Sequence, residues 1–434
     1  MGAIPTGASV DALPWRRLGT PAIELRLDVT LPTGQSFRWR ESGPGSYTGV
    51  IGQRVVQVRQ LEDDVEYRVI ARGPAAAHAD AGDPAPADHA AVVDYFNLGH
   101  CLAEMTCEWA AADERFRDVH PHFHGARMLR QDPLETLFAF VCSQNNHISR
   151  IHGLVERLCA DYGTPLMPVA DVRGLASPGG DDGDGAGAPG KGRGKVAEMI
   201  AGLGLYAFPT LEQLGRASDE DLRGAGFGYR AKYIVGCTEE LRKKEGGGHA
   251  WLLGLRDVGQ AEAIEALCGL PGVGPKVAAC VALFSLDKHG AIPVDTHVWQ
   301  IAVRYYRPDL EGKSLTKRIH AAVEQCFVDR FGPFCGWAHN TLFVSELSSM
   351  RSRLPEHLRP PPTPAKKSKK AKASSGSEGE GEGVVGLTAT PVGEGGDTEE
   401  PRSRDGGKGG DRSPEEKPKK KQRVSAPTDF DDLV

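Results

Sequence analysis

The feature that most constrains the fold is a change of hydrophobic period part-way along the chain. Between about residues 36 and 70 apolar and polar side chains alternate: SFRWRE, then SYTGVIGQRVVQVRQ turning near Gly52 and Gln53, then VEYRVI. Alternation puts successive side chains on opposite faces of a strand, and a Gly-containing pair between two such runs predicts a hairpin. From about residue 89 to about residue 347 apolar positions recur at helical spacing instead. Strands followed by helices, rather than alternating with them, predict an α+β chain with an antiparallel sheet first. The expected organisation is a β domain with a polar Ala/Asp/Pro linker (residues 71–88) over 1–88, a helical region over 89–349, and a tail over 350–434.

Local signals sharpen the helical part. Asp132 reads as an N-cap, Pro133 as the first helical residue, and Glu135 as the return partner of a capping box before LFAFVC. SQNNH (residues 143–147) should break that helix, because Ser and Asn side chains compete for backbone hydrogen bonds. A second helix should follow from about Ile148 to Tyr162. Residues 174–194, rich in Gly and Asp, read as a flexible insertion. Beyond Met350 the composition turns to Pro, Lys, Ser, Glu and Gly, as in chains that stay disordered. Two basic clusters there, KKSKKAK (366–372) and KPKKKQR (417–423), are candidates for an import receptor, which predicts a nuclear protein.

Whole-chain composition bounds the setting. With 434 residues, 40% of them apolar, the chain can bury two or three compact domains. No apolar run approaches the ~20 residues of a membrane-spanning helix, so no membrane partner is expected. The start, MGAIPTGASV, lacks a basic segment with an apolar one behind it, and its loose fit to a myristoylation pattern has no basic second anchor. The nine cysteines form no CxxC pair and no zinc-spaced set. They read as reduced thiols of an intracellular protein. A net charge of −6 says little about nucleic acid, because binding follows local patches.

The chemistry concentrates in residues 265–299. A helix ends before LPGVG, and Pro275 opens another that should run to about Asp287. Gly272 and Gly274 permit positive φ and close backbone approach, so the hairpin presents backbone N–H groups and a helix N-terminus suited to a DNA phosphate. Lys276 falls in the first turn of the second helix, where the positive end of the helix dipole disfavours an ammonium. A neutral lysine amine is a competent nucleophile. Cys280 lies one turn on, on the same face. The helix climbs roughly 17 Å from Lys276 to Asp287. The seven residues that follow can span roughly 23 Å, so the chain can return to the level of Lys276 as DTHVWQIAVRYY begins. Asp295 would cap that helix, and a fixed carboxylate there would stabilise a cationic sugar. His297, in the same first turn, would hydrogen-bond a phosphate.

LPGVGPK followed by PVDTH resembles the helix-hairpin-helix glycosylase superfamily with its Gly/Pro-Asp signature, and over residues 13 to about 349 the chain resembles the eukaryotic 8-oxoguanine DNA glycosylases. GQSFRWR (34–40), LRQDPLETLFAFVCSQNNHISRI (129–151), GFGYRAKYI (226–234) and GWAHNTLF (336–343) fall in that family's order. The resemblance implies a β domain followed by two helical domains, and a glycosylase and lyase acting on duplex DNA that contains oxidised guanine, as a monomer without cofactor or metal. It implies that Lys276 forms the Schiff base and Asp295 is the catalytic aspartate. The Gly34 carbonyl would accept the N7–H that oxidised guanine has and guanine lacks, with Cys280 and Phe343 sandwiching the base. Asn145 would fill the vacated space, Arg150 and Arg230 would hold the orphaned cytosine, and Tyr229 would wedge beside it. His297, Gly272 and Gly274 would contact phosphates.

Two departures stand out. His339 occupies the place where the family usually has a Gln reading the base edge, and SQNNH differs from the usual Ser/Asn run. One imidazole nitrogen donates or accepts but not both, so an ordinary histidine there predicts pH-dependent recognition between about pH 5.5 and 7.5. The enzymatic rivals fit less well. Relatives acting on oxidised pyrimidines or mispaired adenine carry a four-cysteine iron–sulfur motif, whereas only Cys326 and Cys335 lie nearby, and alkylated-base relatives lack the lysine. A non-catalytic hairpin protein would need neither Lys276 nor Asp295. Nuclear localisation is expected, beside which a mitochondrial or plastid pool is compatible.

Overall fold

The alternating segment builds a five-stranded antiparallel sheet. Strands β1 (Arg16–Arg17), β2 (Arg40–Gly43), β3 (Ser46–Ile51), β4 (Arg54–Gln60) and β5 (Val65–Arg72) stand in the order β1-β5-β4-β3-β2. The β3–β4 hairpin turns at Gly52–Gln53 as expected, with Val50 opposite Val55 and Tyr47 opposite Val58. Gly52 takes φ +57°, which a two-residue turn of this hand requires. The computed structural model describes residues 12–79, 83–173, 200–314 and 316–361. The insertion and both basic clusters lie outside the described residues.

Two expectations for the N-terminal part are corrected, and one strand was not foreseen. Ser36–Trp39 is not strand; it passes buried between sheet and helices, and Arg38, 1% exposed, donates to Glu135 (3.1 Å), Glu156 (2.9 Å) and the Tyr206 carbonyl. A chain surrounded by side chains on all sides has no ladder partner to make it a strand. The linker is shorter and more structured than its composition suggests: β5 runs to Arg72, and the Ala-rich stretches Pro74–Ala79 and Ala85–Tyr95 (α1) are helical. Asp88, buried in α1, binds both Arg54 and Arg72 and so clamps this helix to β4 and β5. Finally, β1 is too short for periodicity to reveal; it pairs through Arg16 opposite Tyr67.

The principal helices that follow are α2 (Leu102–Ala112), α3 (Glu114–Val119), α4 (Pro133–Ser143), α5 (Ile148–Tyr162), α6 (Ala231–Arg242), α7 (Gln260–Cys268), α8 (Pro275–Ser285), α9 (Thr296–Ile301), α10 (Lys317–Phe331) and α11 (Cys335–Glu346). A two-stranded ribbon, β6 (Pro165–Met167) with β7 (Leu205–Tyr206), lies against the main sheet through Val50, Val55, Ile70, Met167 and Leu205. Every residue of α4 is buried, as are Val277–Ser285 of α8 and Cys335–Ser345 of α11. Helices apolar all round belong at the centre of a core, and α4 packs on α8 with Phe140 stacked on Phe284 at 5.3 Å.

Asp132 caps α4 by accepting from the backbone N–H of Leu134 (2.9 Å) and Glu135 (3.1 Å). The capping box is not completed, because the Glu135 carboxylate turns to Arg38. A buried guanidinium without acceptors costs far more than one uncapped N–H, so the ion pair wins. The C-terminal boundary also moves. Packed structure continues past Met350: Leu354 is buried, Arg353 pairs with Asp28 (2.7 Å), and Arg115 donates to the Leu358 carbonyl (3.0 Å). Among the described residues no helix is long and apolar enough to cross a membrane.

Candidate active site

The hairpin between α7 and α8 takes the geometry its glycines permit. Gly272 has φ +77°, and a Cβ there would lie 2.4 Å from the Tyr233 ring. Gly274, the N-cap of α8, is exposed with open space around it, and no side chain caps the helix. First-turn N–H groups therefore face outward beside Lys276. Two contacts tie the hairpin down: Gln144 Nε2 donates to the Gly272 carbonyl (2.7 Å), and the Cys237 thiol to the Pro271 carbonyl (3.0 Å).

Behind Lys276 lies a cavity of about 360 Å³, including its solvent-facing mouth. Its walls come from four parts of the chain: Thr33, Gly34 and Gln35 before β2; Phe140 of α4; Lys276, Cys280 and Phe284 of α8; and His339, Asn340 and Phe343 of α11, with Pro293 and Val298 closing it. Gly34 takes φ +91°, a region that favours glycine. Gln35 holds that turn rigidly. Its side chain donates to the Thr30 and Arg127 carbonyls (3.1 and 2.9 Å) and accepts from the Leu129 N–H (3.0 Å).

Lys276 Nζ lies 5.4 Å from the Phe140 ring centroid and within hydrogen-bonding reach of Cys280. Burial pushes the Cys280 thiol up to about 11; Lys276 opposes this and Asp295 adds to it. Cys280 therefore remains a neutral thiol and does not compete as a nucleophile. Asp295 does not line the cavity. It caps α9, accepting from the Val298 N–H at 2.9 Å, close enough for its charge to be felt at Cys280. The chain thus returns to the level of Lys276 as the span argument requires, although α8 ends at Ser285 and Asp287 already has φ +59°. His297 packs edge-on against Phe343 at 5.9 Å.

His339 is 4% exposed, and among the described residues neither ring nitrogen meets a partner in full hydrogen-bond geometry, although the Gly336 carbonyl lies near the ring. Burial lowers its pKa to about 4, with the Gly336 carbonyl only partly opposing. The expectation of a titration between pH 5.5 and 7.5 is corrected: the side chain is neutral throughout that range.

A second cluster surrounds the turn between α4 and α5. Asn145 is exposed with φ +48°. The Tyr229 hydroxyl donates to the Gln144 carbonyl (2.9 Å), and Arg230, buried, donates to the Gln144 and Asn145 carbonyls. Arg150 is exposed nearby. Arg230 thereby organises the turn that carries Asn145. Three contributors escaped the sequence reading: Gln144, which joins the turn to the hairpin, Gln35, and Asn340. The visible signal for Asn340 was a polar side chain directly after His339 in the stretch GWAHNTLF.

Two family models cover most of this region: residues 17–137 match the 8-oxoguanine DNA glycosylase N-terminal domain, and residues 138–325 match the HhH-GPD superfamily of base excision DNA repair proteins. The chain is 43% identical over 349 residues to N-glycosylase/DNA lyase OGG1 of Arabidopsis thaliana, covering 80% of this chain and 84% of that one. It is 31% identical over 355 residues to the N-glycosylase/DNA lyase of Saccharomyces cerevisiae, covering 75% and 84%. The fold is similar to that of MBOgg1 in complex with a low-affinity DNA ligand, with a TM-score of 0.57, 27% identity, and coverage of 76% of this chain and 93% of that one. The chain belongs to the 8-oxoguanine DNA glycosylase family of the helix-hairpin-helix superfamily and is an N-glycosylase/DNA lyase.

Proposed function

We propose that this enzyme excises 8-oxoguanine paired with cytosine in duplex DNA and then cleaves the strand, with Lys276 as nucleophile. The observation that carries this reading is the single cavity that unites Lys276 with Gly34, Cys280, His339 and Phe343, beside the capped carboxylate of Asp295. The damaged nucleotide swings out of the helix into that cavity, as bases must for chemistry at the glycosidic bond. The neutral Lys276 amine bonds to the anomeric carbon as the bond to the base breaks, and the departing base keeps the electron pair and takes up a proton. Asp295 stabilises the cationic sugar. The amine adduct loses a proton and the sugar ring opens to a Schiff base. Loss of a C2′ proton then expels the 3′ phosphate, and water releases Lys276. These steps need no redox cofactor and no metal ion.

The hairpin amides at Gly272 and Gly274, with His297, would hold phosphates, and Asn145 and Tyr229 would occupy the gap left by the base. Arg150 and Arg230 would bond the unpaired cytosine. One copy of the chain suffices for all these contacts. The basic clusters at 366–372 and 417–423 would direct the protein to the nucleus, which a fluorescent fusion ending at Pro361 would lose.

Borohydride trapping on an 8-oxoguanine·cytosine duplex tests the mechanism. Wild type should be trapped covalently, whereas Lys276→Gln should bind the lesion yet form no adduct and release no base. Adduct formation by Lys276→Gln would refute the nucleophile assignment. Running Arg150→Ala and Arg230→Ala against each opposite base tests the cytosine contacts, since an unchanged preference in both would remove them.

A further inference from the structure

We propose that Asn340 reads the inserted base, its amide donating to the 6-carbonyl of an oxidised purine and thereby selecting 6-oxopurines over 6-aminopurines. The inference rests on the function proposed above. It starts from an anomaly in α11. Polar groups inside a buried helix normally find partners, as Ser345 does on the Leu342 carbonyl (2.6 Å) and Trp337 does on His289 (3.1 Å). Asn340, also 4% exposed, has an amide Nδ2 with no partner among the described residues. Both nitrogens of the adjacent His339 likewise lack a partner in full hydrogen-bond geometry among the described residues, with the Gly336 carbonyl nearby. Three orphaned polar atoms thus fall on two consecutive residues, and both residues line the cavity that holds Lys276.

Such atoms are costly unless a ligand satisfies them, and the ligand must supply acceptors for the amide. A carboxamide Nδ2 is a donor only, whichever way its N–H groups point. A guanine-type base presents the O6 acceptor beside its N1–H, whereas an adenine-type base presents an amino donor at the same corner. A donor opposite that corner bonds the first and confronts the second with a like group. His339 supplements it: a neutral imidazole has one bare nitrogen, which can accept from N1–H alongside. Residues 339, 340 and 343 all reach the cavity from α11, so the two polar side chains meet the base on the wall that Phe343 shares.

The test compares single-turnover excision of 8-oxoguanine and of 8-oxoadenine, with cleavage of an abasic-site duplex measured beside them. Wild type, Asn340→Ala and Asn340→Asp are assayed under identical conditions. Asn340→Ala should lower the ratio of 8-oxoguanine excision to abasic-site cleavage by about 10- to 100-fold, because the 6-carbonyl loses its donor. Asn340→Asp, which replaces the donor with an acceptor, should lower that ratio further and raise 8-oxoadenine excision relative to 8-oxoguanine. A role in folding alone would reduce excision and abasic-site cleavage together and leave both ratios at wild-type values. That result, or unchanged ratios with full activity, overturns the assignment. Failure of wild type to excise 8-oxoguanine would instead overturn the proposed function itself.

Discussion

Burial of His339 makes a quantitative prediction about acid. Its pKa of about 4 in the folded enzyme means that only about 3% of molecules carry the proton at pH 5.5, whereas an imidazole at 6.5 would be about 90% protonated there. Excision under single turnover should therefore show no wild-type-specific inflection between pH 5.5 and 7.5. The ratio of wild-type to His339→Gln rates should stay constant over that range. Stability should respond instead. Because the folded pKa is depressed, the unfolded chain takes up the extra proton first, so this contribution is complete above pH 6.5 and is lost as the pH falls towards 4. The difference between 6.5 and about 4, at about 1.36 kcal/mol per pKa unit, is about 3 kcal/mol. Thermal denaturation of both proteins between pH 7.5 and 4.5 would measure it, with His339→Gln losing less stability on acidification. An inflection near pH 6.5 in wild-type excision that disappears in His339→Gln would refute the reasoning, for it would mean that the ring is hydrated and free to titrate.

Two further substitutions test the scaffold. Gly272→Ala forces a left-handed residue and a clash with Tyr233, and should cost about 2–4 kcal/mol and weaken duplex binding; wild-type affinity and melting temperature would show that the hairpin relaxes freely. Arg38→Met removes a guanidinium that, with Arg40, holds Glu156 below the ordinary carboxylate range despite burial. Glu135, which burial pushes up to about 7 against the pull of Arg38, can shed its charge by protonating, but Glu156 is left underpaired. The loss should be about 3–5 kcal/mol, read as a fall in melting temperature on the order of 10 °C, and a shift below about 2 °C would contradict it.

The sequence by itself determined what depends on a few neighbouring residues. The change of period placed the sheet before the helices, Gly52 and Gln53 marked the hairpin, and Asp132, Pro133 and Asp295 marked helix starts, because these outcomes follow from local backbone geometry and capping. LPGVGPK and PVDTH were legible for the same reason, and a simple chain-length argument brought Asp295 back towards Lys276. Tertiary structure decided wherever distant groups compete for one partner or exclude water together. Glu135 abandoned its capping box for a buried Arg38 that lies 97 residues away. Arg230 turned its donors onto the Gln144 and Asn145 carbonyls, 86 and 85 residues distant. His339 lost its ordinary titration, and Asn340 became part of the cavity wall, only because α11 is buried among α3, α9 and α10. Burial is a property of the whole assembly, and no spacing along the chain encodes it.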